Sequence, residues 1–164
     1  MKLLTYDAAM EPVLLRQMAA FFGFHHSLVE GESAAVDQEL RETLADWQRH
    51  PSALYVMEEG GAPVGFLRIG YRGPNVAWIE DIFVDEAHRG RGLASRAIGA
   101  AEQIVEQIPG YTAVCMDVSP RNADALRLYH RLGYTGLSLI TVRKEFSKSK
   151  RDKPVELLGH DFVY

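Results

Sequence analysis

A short segment rich in glycine and arginine, Arg89-Gly90-Arg91-Gly92-Leu93-Ala94-Ser95, has the residue types that bind phosphate. Glycine lacks the Cβ atom that would keep an anion away from the backbone. The segment follows an apolar run and leads into a helical pattern. Unpaired N–H groups at the start of that helix, together with the positive end of its dipole, would face the anion. The two arginines add positive charge, so the segment predicts a phosphate-binding loop.

Glycine-rich turns between a strand and a helix also occur in nucleotide-binding folds and as plain structural turns. The pair Leu93-Ala94 stands where a Walker loop needs Lys followed by Ser or Thr. The glycine spacing also differs from that of a dinucleotide-binding fingerprint. On this segment alone, a structural turn with two solvated arginines stays open.

A second segment, residues 122–134, places polar residues on a helical pattern. Asn122 precedes that pattern and is a predicted helix N-cap, worth about 1 kcal/mol. Tyr129 lies on an apolar stripe, where an aromatic side chain usually packs into a core. Gly133 is most simply the left-handed residue that ends the helix.

Together the two segments resemble the GNAT superfamily of N-acetyltransferases. The motif Arg89-x-x-Gly92-x-Ala94 is similar to the signature that binds the pyrophosphate of acetyl-CoA in that family. Residues 122–134 match its second block, Asn-x-x-Ala-x-x-x-Tyr-x-x-x-Gly-(Phe/Tyr), at every marker position. The resemblance is specific from about residue 80 to residue 134.

The resemblance implies roles for individual residues. Asn122 would contact the pantetheine arm of acetyl-CoA, and the Tyr129 hydroxyl would protonate the departing thiolate. Backbone N–H groups around Ile82, Phe83 and Val84 would bind the thioester carbonyl and the pantetheine. The acetyl group would pass directly to a primary amine without a covalent enzyme intermediate, so positioning and charge placement would carry most of the acceleration.

Two adjacent carboxylates, Glu80 and Asp81, lie within the apolar run Val76–Val84. In a regular strand they point to opposite faces, so at least one enters apolar surroundings, where desolvation raises a carboxyl pKa toward the range of a general base. We predict Glu80 as the base and Asp81 as a second substrate-binding carboxylate. The alternatives are a cap or a salt bridge to a neighbour for Glu80, and a pair with an arginine of the adjacent helix for Asp81. The Glu-Asp-apolar-apolar-Val run resembles the polyamine and diamine acetyltransferase branch, in which this Glu lies at the amine.

The composition is that of an ordinary globular chain, with 164 residues, 47% hydrophobic and 24% charged. We expect one domain over residues 1–164. A net charge of −4 disfavours a nucleic-acid-binding role and suits a cationic substrate. Charge appears too early at the N-terminus for a signal peptide, and no apolar run approaches the ~20 residues that span a bilayer. The expected location is therefore the cytoplasm, without a membrane partner.

The order of predicted elements implies a mixed α/β (α+β) fold. The sheet is mostly antiparallel, with six to seven strands, one splayed parallel pair and about four flanking helices. The predicted strands are 2–6, 53–58, 64–71, 76–84, 113–118, 136–146 and 155–163, and the predicted helices are 11–22, 34–48, 92–107 and 123–132. The splaying of the parallel pair around the cofactor is implied by the GNAT resemblance.

Several polar residues support weaker interpretations. His25-His26 in a predicted loop, 23–33, could lie at the substrate end of the cleft, and Glu30, Glu32 and Asp37 could form an acidic rim. The basic stretch 143–153 is most simply a charged hairpin loop. Cys115, the one cysteine, has no base adjacent in sequence and is predicted to be a small core residue, and no spaced His or Cys set predicts a metal site.

The predicted function is transfer of acetyl from acetyl-CoA to a primary amine of a small molecule, such as a polyamine, an aminoglycoside or an amino-acid-like amine. A homodimer is implied by the resemblance. A protein or peptide N-acetyltransferase and a non-catalytic acetyl-CoA-binding module are the alternatives, and the presence of Tyr129 counts against the second of these.

Overall fold

The structure, a computed structural model, describes residues 1–29, 37–144, 146 and 152–164, with side chains for all of these except 27–29. The described helices are α1 (Glu11–Val29), α2 (Asp37–Arg49), α3 (Leu93–Glu106) and α4 (Ala123–Arg131). The described strands are β1 (Lys2–Thr5), β2 (Ser52–Glu59), β3 (Ala62–Gly70), β4 (Val76–Val84), β5 (Ala113–Cys115), β6 (Pro154–Leu157) and β7 (His160–Val163). They form two compact units, Met1–Asp117 and Val118–Tyr164.

The first unit contains a five-stranded sheet in the order β1-β2-β3-β4-β5. Neighbouring strands from β1 to β4 are antiparallel, whereas β4 and β5 are parallel and are connected through α3. A parallel pair needs such a crossover. The mixed, mostly antiparallel sheet with one parallel pair confirms the predicted fold class.

Helices cover both faces of this sheet. On one face, α1 and α2 pack on an aromatic cluster in which Phe66 lies within 6 Å of the rings of Phe21, Trp47 and Phe83. Side chains alternate along a strand, so Leu67 and Ile69 of β3 are buried on the opposite face, where α3 packs against β4. The two layers hold β4 in the centre of the unit.

The first helix is longer than predicted. The sequence indicates an end at residue 22, before Gly23, but α1 continues to Val29, so His25 and His26 lie on a helix and not in a loop. A glycine inside a helix costs about 1 kcal/mol, and burial of Phe21 on the aromatic cluster offsets such a cost. Glu30 and Glu32 lie outside the described residues, and Asp37 begins α2.

The second unit departs more from prediction. The predicted strand 155–163 is a hairpin of β6 and β7, turned by Leu158 and Gly159, which both have positive φ. Such a turn favours Asn or Gly, so the apolar Leu158 gave no turn signal in the sequence. The predicted strand 136–146 is wrong over residues 136–144, which pair with no described strand. An alternating apolar pattern favours an extended backbone but forms a strand only where a partner is present.

The described part of the chain contains no helix long and apolar enough to cross a membrane. The prediction of a single domain over residues 1–164 stays a prediction.

Candidate active site

A β-bulge in β4 brings Glu80 and Asp81 to one face of the sheet. Arg68 of β3 pairs with Asp81, but the next residue, Ile69, pairs with Ile79, so Glu80 is an extra residue in the ladder. Arg68 and Gly70 are two residues apart on β3 and share a face. The Arg68 side chain bonds Asp81, and a Cβ at Gly70 would collide with the Glu80 carboxylate. The expectation that the two carboxylates point to opposite faces is therefore wrong, because it assumed an unbroken strand.

Asp81 is buried and paired with an arginine. The Arg68 Nε donates to Asp81 Oδ2 at 2.6 Å, and the guanidinium lies over the Trp47 ring at 4.6 Å from its centroid. Burial raises the pKa of the Asp81 carboxyl, against the opposing effect of the Arg68 charge. His25 of α1 is close enough to Asp81 for the two charges to interact, and burial against Phe21 lowers the pKa of His25.

Glu80 is held by a different arginine. The Arg72 Nε donates to Glu80 Oε1 at 2.7 Å, and an Arg72 Nη donates to the other carboxylate oxygen. The second Arg72 Nη donates to Asp117 Oδ2 at 3.2 Å, and the guanidinium stacks on the Trp78 ring at 4.5 Å. Only 9% of the Glu80 side chain is exposed, against 49% of Arg72. A salt bridge thus holds each carboxylate, as the alternative for Glu80 predicts, but the partner of Asp81 lies on β3 and not on the adjacent helix.

One edge of β4 is open beside these carboxylates. In the described part of the chain, the parallel pairing with β5 ends at Trp78 and Cys115, although β4 runs on to Val84. The Asp85 N–H donates to Val64 of β3, and the Phe83 carbonyl lies against Gly65 of the same strand.

Because backbone groups alternate along a strand, those of Ile82 and Val84 point away from β3, toward the open edge. The predicted backbone contact of Phe83 is therefore directed into the sheet, and its side chain is buried in the aromatic cluster.

The predicted phosphate loop follows directly from this edge. A 3₁₀ turn, Glu86–His88, leads to Arg89, whose Nε donates to the Val84 carbonyl at 3.1 Å. Gly90 and Gly92 have φ of 75° and 70°, which L side chains rarely adopt. Among the residues that the structure describes, Arg91 has no ion-pair partner and is exposed.

Helix α3 starts at the end of this loop without a capping side chain. Gly92 is its N-cap, and the first bond of the helix after this cap runs from the Arg96 N–H to the Gly92 carbonyl at 3.1 Å. The N–H groups of Leu93, Ala94 and Ser95 precede that bond and so have no acceptor within the helix. The Leu93 side chain is buried and anchors this first turn.

Sequence reasoning missed a buried contact that fixes the start of the loop. Gln17 of α1 is fully buried, and its Nε2 donates to Asp85 Oδ2 at 2.9 Å. Arg16 lies 3.8 Å from the same carboxylate oxygen. A glutamine among the apolar positions of a predicted helix is the signal that could have pointed to it, since a polar group enters a core where it has a partner.

The second unit holds Asn122 and Tyr129 through local helix chemistry. Asn122 is the N-cap of α4, and its Oδ1 accepts from the Ala125 N–H at 3.2 Å. Gly133 has φ of 95°, and the N–H groups of Gly133 and Tyr134 donate to His130 and Tyr129 in a Schellman pattern. The predicted cap and helix end are confirmed.

Tyr129 is half-buried on this helix. Burial raises the pKa of its hydroxyl, so the phenol stays protonated at neutral pH. Its ring lies 6.2 Å from that of Tyr134.

The comparison with known families follows this geometry. Residues 21–134 match the acetyltransferase (GNAT) family, and the chain belongs to that family.

Individual relatives are distant. The aminoglycoside N(6')-acetyltransferase type 1 of Klebsiella pneumoniae is 26% identical over 125 residues, which are 63% of this chain and 62% of that protein. The L-2,4-diaminobutyric acid acetyltransferase of Streptomyces avermitilis is 35% identical over 71 residues, 42% of this chain and 40% of that protein. The crystal structure of the aminoglycoside antibiotic 6'-N-acetyltransferase of Acinetobacter haemolyticus superposes with a TM-score of 0.68, at 15% identity, over 90% of this chain and 100% of that one. The last likeness shows the fold.

Proposed function

We propose that this chain is an N-acetyltransferase that moves the acetyl group of acetyl-CoA directly to a primary amine of a small molecule. The observation that carries the proposal is the continuity of the anion- and amide-binding features along β4. An open strand edge leads, through Asp85 and the 3₁₀ turn Glu86–His88, into a loop whose glycines and uncapped helix start offer backbone N–H groups.

The residues of this stretch fit acetyl-CoA by chemical type. The outward backbone groups of Ile82 and Val84 can pair with the amides of pantetheine, as a neighbouring strand would. The N–H groups of Leu93, Ala94 and Ser95, together with Arg91, suit a pyrophosphate. Arg89 ties the loop back to Val84, which orders it before the substrate arrives.

The proposed chemistry needs one base and one acid. Glu80, acting through water, removes a proton from the acceptor ammonium, and the free amine attacks the thioester carbonyl. The C–N bond forms, the C–S bond breaks, and the thiolate takes a proton from the Tyr129 hydroxyl. The second proton of the attacking nitrogen then passes through water to the Tyr129 phenolate, which leaves a neutral amide. The position of Tyr129 in the second GNAT block supports this role, and a phenol holds a proton to donate at neutral pH.

Asp81 is the second candidate for the base. Its pKa is raised by burial, and the structure records a hydrogen bond on one of its two carboxylate oxygens, from Arg68. In the leading version of the proposal, Asp81 instead holds the acceptor cation beside Glu80.

A cationic small molecule is the proposed acceptor class. Two carboxylates on one face favour an ammonium group, and the relatives named above are described as acting on an aminoglycoside and on diaminobutyric acid. A protein or peptide N-terminus is the alternative acceptor. The single domain and the cytoplasmic location belong to this proposal as well, as does the homodimer that the family resemblance implies.

Substitution of the loop glycine tests acetyl-CoA binding. We expect Gly92→Glu to abolish binding of acetyl-CoA in calorimetry, because the new carboxylate meets the pyrophosphate. Gly110→Glu is the matched control, since Gly110 also has a positive φ, 88°, and open space around its Cβ position, but lies in the turn after α3. Equal acetyl-CoA affinity in the two folded variants would contradict the assignment of the loop as the site that binds the pyrophosphate.

A further inference from the structure

The carboxylate proposed as the base is already occupied by a cation of the chain itself. Both oxygens of Glu80 accept hydrogen bonds from Arg72, and the carboxylate lies in a slot that exists because Gly70 has no side chain. A guanidinium on a carboxylate has the charge and the donors that an acceptor ammonium would present. Acceptor and arginine therefore need the same two oxygens.

We propose that Arg72 is an internal competitor of the acceptor, holding Glu80 in the free protein until the ammonium group of the substrate displaces it. This inference rests on the proposed function, and it assigns to Arg72 a part in acceptor affinity that the family motifs do not contain. Displacement moves no covalent bond. The guanidinium leaves the Glu80 carboxylate and the ammonium takes its place.

The surroundings of Arg72 favour such an exchange. Half of its side chain is exposed, and it projects from the stretch between β3 and β4. Two of its contacts do not involve Glu80, the hydrogen bond to Asp117 and the stacking on Trp78. A guanidinium released from Glu80 keeps these partners, so its charge is not left without compensation.

The neighbouring arginine shows the opposite arrangement. Arg68 is 16% exposed, lies over Trp47 and bonds the buried Asp81 carboxylate. Breaking this pair would separate two charges of which neither is well exposed, whereas half of the Arg72 side chain is already exposed when it leaves Glu80. Of the two ion pairs on this face, the one between Arg72 and Glu80 is therefore the one that an acceptor can displace.

Competition of this kind lowers the apparent affinity for the acceptor. An acceptor that binds only the molecules with a free Glu80 has its apparent dissociation constant raised by the inverse of the free fraction. Removal of Arg72 is therefore expected to tighten acceptor binding by about five-fold, the range for an ion pair whose guanidinium is half exposed. If Arg72 instead positions Glu80 for the acceptor, removal of Arg72 should weaken acceptor binding, because Glu80 would be misplaced.

The experiment compares binding of one probe, spermidine, by calorimetry without acetyl-CoA. We expect Arg72→Ala to bind spermidine about five-fold more tightly than the wild-type chain. Arg41→Ala is the matched control, because Arg41 also pairs with a glutamate, Glu11, on α1. It removes the same charge at a distance from Glu80 and is expected to bind spermidine as the wild type does.

The outcomes separate the two proposals. Equal, weaker or undetectable spermidine binding by Arg72→Ala would overturn the competitor role, as would equal tightening by Arg41→Ala. Arg72→Gln, which keeps a hydrogen-bonding side chain without the charge, replaces Arg72→Ala if that variant does not fold. A separate titration of the wild type with acetyl-CoA tests the proposed function, whatever the spermidine result.

Discussion

The two units of the molecule hold their functional residues by different means. Every buried hydrophobic residue that the structure describes lies between Leu14 and Val105, in the first unit. In the described part of the second unit, large apolar side chains such as Leu137 and Leu139 are exposed, and α4 has no buried residue. Glu80 and Asp81 are thus positioned by a packed core, whereas Asn122 and Tyr129 depend on a cap and a helix end.

This difference predicts which kind of substitution should affect each unit. In the first unit, a change in the core is expected to reach the site through the strands. In the second, changes to local backbone hydrogen bonds are expected to matter more than changes to apolar side chains. Five predictions test this contrast, and their expected effects decrease in order.

The largest effect is expected in the aromatic cluster. Phe66→Ala should lower the free energy of unfolding by about 3–5 kcal/mol, because Phe66 is fully buried among three other rings. Urea denaturation measures the loss. Leu126→Ala in the second unit should cost less than about 1 kcal/mol, since that side chain is 40% exposed. A comparable cost for the two variants would remove the contrast between the units.

Tyr129 is expected to matter for turnover and little for stability. Tyr129→Phe should lower kcat by about 100-fold or more, the usual range for loss of a general acid, while acetyl-CoA affinity hardly changes. Steady-state kinetics with a good acceptor, together with calorimetry, measures both quantities. A near-normal rate would make Tyr129 a packing residue of the second unit.

Glu80 is expected to have an effect that depends on pH. Glu80→Gln should lower kcat/KM by about ten-fold or more at neutral pH, and the loss should shrink as pH rises and free amine forms without a base. Asp81→Asn should have the smaller effect. A loss independent of pH would mean that Glu80 only binds the cation, and a larger effect at Asp81 would make Asp81 the base.

The raised pKa of Asp81 adds a stability readout to the same pair of variants. A carboxyl with a raised folded-state pKa holds its proton more tightly in the folded chain than in the unfolded one. The wild type should therefore lose stability, relative to Asp81→Asn, as pH rises from about 4 through the raised pKa toward neutrality. Urea unfolding across this range measures the difference.

The smallest effect is expected at the cap of α4. Asn122→Ala should lower the free energy of unfolding by about 1 kcal/mol, because the Ala125 N–H loses its acceptor. Asn122→Ser, which restores a capping oxygen, should recover most of this loss. Failure of serine to recover stability would show that Asn122 acts through something other than its cap.

Much of the fold follows from the sequence because several elements have strong periodicity. The bounds of β4 are as predicted, and those of α3 and α4 agree within one residue at each end. These segments combine a regular apolar pattern with clear end signals. The end of α1 and the turn between β6 and β7 were predicted wrongly, in each case because of one residue. Gly23 lies inside a helix and Leu158 has a positive φ, although neither residue type favours that conformation.

The candidate site is less predictable because its geometry depends on register between strands. The motifs identify Glu80, Asp81 and the loop, but the pairing of each carboxylate with an arginine follows from the bulge, which residue types in β4 do not reveal. One signal was present. Gly70 lies near the end of the predicted strand 64–71, and a glycine within a strand often marks a bulge or a close approach.

The bulge at Glu80 also sets the density of negative charge that the sheet can present. In a regular strand, two side chains on one face stand about 6.6 Å or more apart along the backbone, two residues of rise. Adjacent residues that share a face are separated by a single Cα step of about 3.8 Å. A substrate with one ammonium group can thus lie within reach of two carboxylates at once, an arrangement that an unbroken strand cannot offer. One inserted residue thus places two carboxylates, each paired with an arginine, a single step apart on this face.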